Sequence, residues 1–344
     1  MKKDYDQAIE NYNAALRLNP NYATVFNSRG NVYLDKKDYD RAIQDYDQAI
    51  GLSPNYAVAF YNRGLAYQNK KDQDRAIQDY DQAIRLDPKY ATAFNNRGNV
   101  YRDRKDYDRA LQDYNQAIRL DPKYAAAFNN RGNVYRDMKE YDQAIQDYDE
   151  ALRLNPNYVL ALNNRAVAYR GKKDYEHALT DHEAAGRIDP KVERHKSIGY
   201  TLFFMGRVAQ SAAAMDRAVK AAPQDMYAIL WRYITLAKEN RVEIASRELG
   251  ENAAKLKEPR WPLPVIDFYL GKITEKEMYA AAENPDPKKN GEQICEANFY
   301  SGEAKLLKNA TNEAIPLLRT AEKACPPTFN EAHGASAELK RLGY

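Results

Sequence analysis

The sequence has few of the residues from which many protein sites are built. Its 344 residues include two cysteines, two tryptophans and four histidines. Two cysteines exclude a disulfide-dense small fold and a four-cysteine zinc site. The 52 basic and 49 acidic residues are interspersed, so charge gives no case for a nucleic-acid partner. The longest apolar runs, Tyr56–Tyr61 and Met226–Trp231, are six residues, far short of the roughly 20 that a membrane helix needs, and we expect no direct membrane insertion.

Catalytic and metal-binding patterns are also scarce. His177 and His182 are five residues apart, so they do not share a helix face as two metal ligands four residues apart would. No glycine-rich phosphate loop and no nucleophile elbow is present. We therefore expect a protein that is not an enzyme, with no catalytic residue, no metal site and no cofactor. The alternative for the histidines, a catalytic or metal role, has no motif to support it.

What the sequence does have is a fixed period. Tyrosine is abundant, with 28 residues, and prolines recur every 34 residues. These prolines are Pro20, Pro54, Pro88, Pro122, Pro156 and Pro190. The segments Ala91–Tyr124 and Ala125–Tyr158 match at 24 of 34 positions. A constant period of this length indicates an array of structural repeats.

Each repeat has small and large residues at fixed places. We number the repeats from position 1 at Ala23, Ala57, Ala91, Ala125 and Val159. In the first of them, positions 8, 20 and 27 are Gly30, Ala42 and Ala49, and positions 4, 11 and 24 are Phe26, Tyr33 and Tyr46. This pattern resembles the tetratricopeptide repeat, a helix–turn–helix unit. The resemblance implies an all-α superhelix, an α-solenoid of stacked hairpins, because one hairpin cannot bury its apolar face alone.

The period divides the chain into five regions. We name the first helix of each hairpin helix A and the second helix B. Residues 1–22 form a partial repeat with only helix B. Residues 23–190 form five regular repeats, and residues 191–225 form a degenerate repeat. Residues 226–290 form a divergent helical region that ends in a loop at 284–290. Residues 291–344 form a repeat-like hairpin with a closing helix. Ala8, Ile9 and Tyr12 lack a helix A partner. We expect either a truncated longer chain or a homodimer that covers this face.

Position 7 is arginine and position 23 is aspartate in all five regular repeats. The arginines are Arg29, Arg63, Arg97, Arg131 and Arg165, and the aspartates are Asp45, Asp79, Asp113, Asp147 and Asp181. Because these positions lie on facing helices of one hairpin, the pattern predicts partly buried, bidentate ion pairs. The alternative is an arginine row that binds an anionic ligand.

Helix A lines the concave surface in this repeat family, through positions that are rich in asparagine here. The candidate groove residues are Asn27, Asn31, Tyr61, Asn62, Asn95, Asn96, Asn99, Arg102, Asn129, Asn130, Asn133, Arg136, Asn163, Asn164 and Arg170. Aspartates at position 13 complete the set. A side-chain amide offers two donors and an acceptor, which suits an extended peptide backbone. We predict a groove that binds a protein or peptide; the alternative is that the amides bond to each other and to water.

The C-terminal half contains several aromatic motifs. They are Gly199–Gly206, Leu230–Tyr233, Phe268–Gly271, Asn298–Tyr300 and the ending Ala337–Gly343. This half resembles the NlpI-type lipoproteins of Gram-negative bacteria. The resemblance implies a homodimeric, non-enzymatic adaptor of the cell envelope, in the periplasm, that holds a protease and peptidoglycan hydrolases. The sequence contains no lipoprotein signal. The alternatives are a cytoplasmic location and a regulatory module of a larger protein that carries an enzyme or signalling domain.

Cys295 and Cys325 bear on the compartment. They lie at the start of one predicted helix and just past the end of its antiparallel partner, so the two ends should be neighbours. This arrangement predicts a disulfide, which would indicate an oxidising compartment. The alternative is a pair of small buried thiols.

Overall fold

The computed structural model describes residues 4–189, 192–257 and 259–344, which contain 20 helices and no strand. The chain folds into two units, Met1–Ala161 and Leu162–Tyr344. The first, unit 1, contains α1 Tyr5–Leu18, α2 Ala23–Asp35, α3 Tyr39–Leu52, α4 Ala57–Asn69, α5 Gln73–Leu86, α6 Ala91–Asp103, α7 Tyr107–Leu120, α8 Ala125–Asp137 and α9 Tyr141–Leu154. The predicted all-α fold of stacked hairpins is confirmed.

The second unit, unit 2, contains the remaining helices, with α10 at the division between the units. These helices are α10 Val159–Gly171, α11 Tyr175–Ile188, α12 Val192–Phe204, α13 Val208–Ala221, α14 Met226–Lys238, α15 Val242–Ala253, α16 Leu263–Tyr269, α17 Glu275–Ala282, α18 Pro287–Leu307, α19 Thr311–Ala324 and α20 Asn330–Arg341. None of the described helices has the length and apolar character needed to cross a membrane.

The turn inside each regular hairpin is encoded locally. Lys37 adopts a left-handed backbone with φ of 60°, which ends α2. The N–H of Asp38 then donates to the carbonyl of Tyr33 at 2.9 Å, so one of the last carbonyls of the helix is satisfied. The Asp38 side chain accepts from the backbone N–H of Arg41 and caps α3. A left-handed lysine therefore reverses the chain without glycine in all five regular hairpins, and an aspartate caps the second helix in four of them.

Small residues at fixed positions set the closeness of the paired helices. A Cβ atom on Gly98 would lie 2.9 Å from Cε1 of Tyr114, whose side chain is fully buried. Ala110 and Ala117 are likewise fully buried on the facing helix. The tyrosine ring at position 24 therefore packs directly on the glycine at position 8, and a larger residue there would have to displace it.

The first helices of successive repeats approach one another within unit 1. α2 contacts α4, α4 contacts α6 and α6 contacts α8. The helix A faces, where the candidate groove residues lie, are therefore continuous from one repeat to the next.

The helix α1 packs less completely than its equivalents. Ala8 and Tyr12 are half-buried, whereas Ala42 and Tyr46, at the same repeat positions in α3, are fully buried. α1 contacts α2 on one side only within unit 1. Part of its apolar face is therefore exposed.

Unit 2 has a core of large aromatic residues around Trp231, which is fully buried in α14. Its ring centroid lies 4.9 Å from Tyr200, 5.0 Å from Phe203 and 5.3 Å from Phe299. These rings come from α12, α14 and α18. Offset and edge-to-face contacts of this kind stabilise aromatic cores beyond simple burial.

The structure differs from the sequence prediction at one helix boundary. The loop expected at 284–290 is shorter, because α18 begins at Pro287. Asp286 caps this helix by accepting from the backbone N–H groups of Lys288 and Lys289, and proline fits the first helical position. Three short stretches lie outside the described residues. They are residues 1–3 at the start of the predicted partial repeat, residues 190 and 191 around the predicted end of the regular repeats, and residue 258 in the divergent region.

Candidate functional site

Arginine at position 7 and aspartate at position 23 form bidentate ion pairs in unit 1. Nε of Arg97 lies 2.9 Å from Oδ2 of Asp113, and Nη2 lies 2.7 Å from Oδ1. The same two bonds join Arg29 with Asp45, Arg63 with Asp79, and Arg131 with Asp147. The carboxylates are almost completely buried, Asp113 being 5% exposed. These pairs agree with the prediction from the spacing.

The third donor of each guanidinium reaches back to the preceding repeat. Nη1 of Arg97 lies 2.5 Å from Oδ1 of Asp81, and its Cζ is 5.5 Å from the centroid of the Phe94 ring. In the last pair of unit 1, the hydrogen bonds to Asp147 raise the pKa of Arg131. The arginine row is therefore engaged within the fold, which argues against its use as a binding site for an anionic ligand.

The asparagines at position 9 accept hydrogen bonds from buried tyrosines. The hydroxyl of Tyr114 donates to Oδ1 of Asn99 at 2.8 Å, and Tyr148 donates to Asn133 at 2.9 Å. Tyr46 and Asn31 form the same bond at 2.8 Å. The sequence interpretation missed this role. The signal for it is the joint occurrence of tyrosine at position 24 and asparagine at position 9, because a buried hydroxyl needs a hydrogen-bond partner.

One repeat of unit 1 departs from this arrangement and shows why the acceptor is needed. Its position 9 is Leu65, which cannot accept a hydrogen bond. The hydroxyl of Tyr80 instead donates to Oε1 of Gln68 at 2.6 Å, one helical turn further along α4. The buried hydroxyl therefore finds an acceptor in this repeat as well.

The amides at positions 5 and 6 join successive repeats. Nδ2 of Asn62 donates to Oδ1 of Asn27 at 2.9 Å, and Nδ2 of Asn130 donates to Oδ1 of Asn95 at 3.0 Å. In each case, position 6 of one repeat bonds to position 5 of the repeat before it. We name these bonds the amide ladder. Mutual bonding of the amides, the alternative recognised in the sequence, is thus present in the structure.

Tyr61 takes the place of asparagine in the amide ladder. Its hydroxyl accepts from Nδ2 of Asn96 at 2.8 Å, and its ring centroid lies 4.9 Å from that of Tyr90. Burial raises the pKa of Tyr61, and the hydrogen bond from Asn96 opposes this shift. The predicted ligand-contact tyrosine is therefore half-buried between repeats.

The candidate groove residues of unit 1 differ in accessibility. Position 5 is buried at Asn27, Asn95 and Asn129, as are Asn62 and Asn133. Asn96, Asn99 and Asn130 are half-buried, and Asn31 is exposed. In Asn96, one amide N–H donates to Tyr61 and Oδ1 accepts from Asn95 and Asn99, which leaves the second N–H for a ligand.

Two arginines at position 12 share one carboxylate. Nη2 of Arg136 lies 2.9 Å from Oδ1 of Asp137, and Nε of Arg102 lies 3.6 Å from Oδ2 of the same residue. Both arginines are half-buried on the helix A side of unit 1. They place two cationic groups beside the amides of α6 and α8.

The remaining candidates belong to unit 2. Asn163 and Asn164 are half-buried in α10. Arg165 repeats the bidentate pairing with Asp181, at 2.8 and 2.6 Å. Arg170 donates to Oδ1 of Asn330 at 2.9 Å and to the carbonyl of Thr328 at 3.2 Å, so it supports the start of α20.

Unit 2 also contains four buried glutamates that the sequence interpretation missed, Glu296, Glu303, Glu331 and Glu338. Glu296 accepts from the indole N–H of Trp261 at 2.7 Å and from the Tyr227 hydroxyl at 3.0 Å. Burial, with the neighbouring charge of Glu331, raises the pKa of Glu296 to about 8. Glu331 in turn accepts from the Tyr300 hydroxyl at 2.8 Å. No regular spacing relates these residues, so the repeat pattern could not reveal them.

Cys295 and Cys325 are joined by a disulfide in the structure, with their Cα atoms 5.1 Å apart. Cys295 lies in the interior of α18, since that helix begins at Pro287, and Cys325 follows the last residue of α19. The bond therefore links the two helices of the C-terminal hairpin. In the part of the chain that the structure describes, no cluster of histidine, cysteine, aspartate and glutamate is placed to hold a metal ion.

The hairpins, the ion pairs and the amide ladder define a helical repeat protein. Sequence comparison names the repeat: the family described as "TPR repeat" matches residues 2–37, 30–71 and 98–138, and the families described as "Tetratricopeptide repeat" match residues 57–90, 125–158 and 79–112. Residues 2–158 of the chain thus belong to the tetratricopeptide repeat family.

The chain is also similar to a curated lipoprotein. It is 27% identical over 150 residues to the lipoprotein NlpI homolog of Haemophilus influenzae. The match covers 43% of this chain and 48% of that protein, so the chain spans about half the length of this relative. The resemblance found in the sequence is therefore supported.

Two solved structures share the fold. PilF of Pseudomonas aeruginosa aligns with a TM-score of 0.52 and 20% identity, over 70% of this chain and 100% of that chain. A tetratricopeptide repeat protein of Parabacteroides merdae aligns with a TM-score of 0.51 and 19% identity, over 72% and 97%. At this identity, the likeness shows the fold alone.

Proposed function

We propose that the chain is a non-enzymatic interaction scaffold and that unit 1 binds an extended polypeptide along its helix A faces. The observation that supports this proposal most is the half-buried row of position-6 amides, which is continuous across α6 and α8. Asn96 retains an N–H group beyond those used in the amide ladder. An extended peptide presents backbone carbonyls that such amides can bind.

The neighbouring charges support the same proposal. Arg102 and Arg136 both contact the carboxylate of Asp137, which holds two guanidinium groups beside the amides. Guanidinium groups donate to peptide carbonyls and carboxylates in a fixed planar geometry. An extended chain that lies across α6 and α8 would meet the amides first and the arginines at its side.

The peptide proposal is tested with a matched pair of double variants. A fluorescent peptide, selected from a random library against the full chain, is titrated into Asn96→Ala/Asn130→Ala and into Gln112→Ala/Gln146→Ala. The second pair removes two exposed amides from the B helices of the same repeats. We expect about a tenfold loss of affinity in the first variant and less than a twofold loss in the second, since only the first removes contacts to the peptide.

Thermal melting separates binding from structure in this experiment. Loss of two amide ladder bonds should lower the melting temperature of the first variant. A lower melting temperature with unchanged peptide affinity would mean that the amides only hold the repeats together. That result, or a library that yields no peptide competing for this face, overturns the proposal.

An envelope adaptor is the specific form of this proposal. It is supported by the similarity to the lipoprotein NlpI homolog and by the Cys295–Cys325 bond, because disulfides persist in oxidising compartments. The resemblance also implies a homodimer. Cell fractionation measures the compartment of the protein, and light scattering measures its oligomeric state. Recovery only from the cytosol rejects the envelope form, and a monomer at high concentration rejects the dimer.

A further inference from the structure

Unit 2 has a cleft of about 800 Å³ that the proposed function does not use. The start of α11, the end of α12 and the facing sides of α19 and α20 enclose it. Phe204 and Leu339 form its apolar floor and are 6% and 4% exposed, and Tyr175 lies at its side. A cleft of this size can hold two or three side chains of a partner.

Five cations surround this floor, with one carboxylate. The cations are Lys173, Arg319, Lys323, Lys340 and Arg341, and the acid is Glu322. Arg341 is paired with Glu338. Among the described residues, none of the other four cations has a carboxylate oxygen within ion-pair distance.

Two of these four cations have neutral partners. Nζ of Lys173 donates to Oγ of Ser336 at 2.9 Å. The guanidinium carbon of Arg319 lies 5.1 Å from the centroid of the Tyr344 ring. Lys323 and Lys340 are exposed on α19 and α20. The chain as a whole carries a net charge of only +3, so this cleft concentrates positive charge that is balanced elsewhere.

We infer that this cleft is a second interaction site, which binds an acidic peptide segment with an apolar side chain between its carboxylates. Carboxylates complement the unpaired cations at the rim, and an apolar side chain fits the floor. A nucleic acid satisfies the charge, but its sugar–phosphate backbone has no apolar side chain to fill the floor that Phe204 and Leu339 form.

The test uses the full chain and a short fluorescent peptide in which glutamates flank a leucine and a phenylalanine. Lys323→Glu/Lys340→Glu reverses charge at the cleft. Lys276→Glu/Lys308→Glu reverses the same charge at exposed positions of unit 2 outside it. We expect about a tenfold or greater loss of affinity for the first variant and less than a twofold loss for the second. A peptide with serines in place of leucine and phenylalanine should bind several-fold more weakly.

Three results would overturn this inference. The first is an equal loss of peptide affinity in both charge-reversed variants, and the second is equally tight binding of a peptide that has lysines in place of the glutamates. The third is that a single-stranded oligonucleotide binds as tightly as the acidic peptide and depends equally on Lys323 and Lys340. Circular dichroism and thermal melting check that both variants remain folded. The unit 1 variant Asn96→Ala/Asn130→Ala should bind the acidic peptide normally, so failure of this inference and failure of the proposed function are distinguishable.

Discussion

Replacing Asp113 with alanine is expected to lower the free energy of unfolding of unit 1 by about 3 kcal/mol, because it leaves a partly buried guanidinium without its bidentate partner. Arg97 would keep only its bond to Asp81, whose side chain is 51% exposed. The double variant Arg97→Met/Asp113→Ala should be less destabilised than Asp113→Ala alone. Removing both charges removes the cost of burying either one, and methionine fills part of the volume.

Urea denaturation followed by circular dichroism measures this effect. Because repeat arrays do not always unfold in one step, the midpoint of the first transition is compared across the double-mutant cycle. Asp108→Ala, at an exposed position in the first turn of α7, is the control and should change stability by no more than about 0.5 kcal/mol. A double variant that is less stable than both single variants would contradict this prediction, because the two side chains would then contribute independently and a stranded charge would not account for the loss.

The second large effect is expected from the bond between Cys295 and Cys325. The two residues are 30 apart in sequence, and closing a loop of that length stabilises a folded chain by about 3 kcal/mol in the chain-entropy account. We therefore expect Cys295→Ala/Cys325→Ala to lower the melting temperature of unit 2 by several degrees. A reducing agent should lower the melting temperature of the natural chain and leave that of the variant unchanged.

Thiol counting by mass spectrometry provides the independent check on this prediction. The protein is alkylated under denaturing conditions, with and without prior reduction. Two alkylated cysteines without reduction would show that the residues are free thiols in the purified protein, and the disulfide prediction would be wrong. The protein for this thiol count is expressed in an oxidising compartment, because the bond forms only where thiols can be oxidised.

The period of the sequence was enough to predict the hairpins and the ion pairs of unit 1. Arg97 and Asp113 face each other because a fixed spacing on two antiparallel helices places them there. The roles of Asn99 and Asn130 were harder to predict. Whether an amide bonds to a tyrosine hydroxyl, to the next repeat or to a ligand depends on distances of about 3 Å between helices that composition does not determine.

Unit 2 was less predictable because its residues beyond the last regular repeat follow no period. The start of α18 at Pro287 was read as part of a loop, since proline and asparagine favour both loops and helix starts. Glu296 and Glu331 come from different helices and are brought near each other only by the packing around Trp231. The same is true of the lysines at the cleft, because Lys323 and Lys340 lie on α19 and α20 and Lys173 lies in the turn before α11.

The amide ladder makes the length of unit 1 adjustable. Each junction needs only an amide on one side and an oxygen acceptor on the other, and it tolerates a change of acceptor from Asn27 to Tyr61. Deleting residues 91–124 would bring Asn130 against Tyr61, which already accepts from Asn96. Insertion or loss of 34-residue blocks would thus leave no junction without a partner. An ancestral gene could lengthen or shorten such an array by recombination, and under the proposed function the length of polypeptide bound would change in proportion.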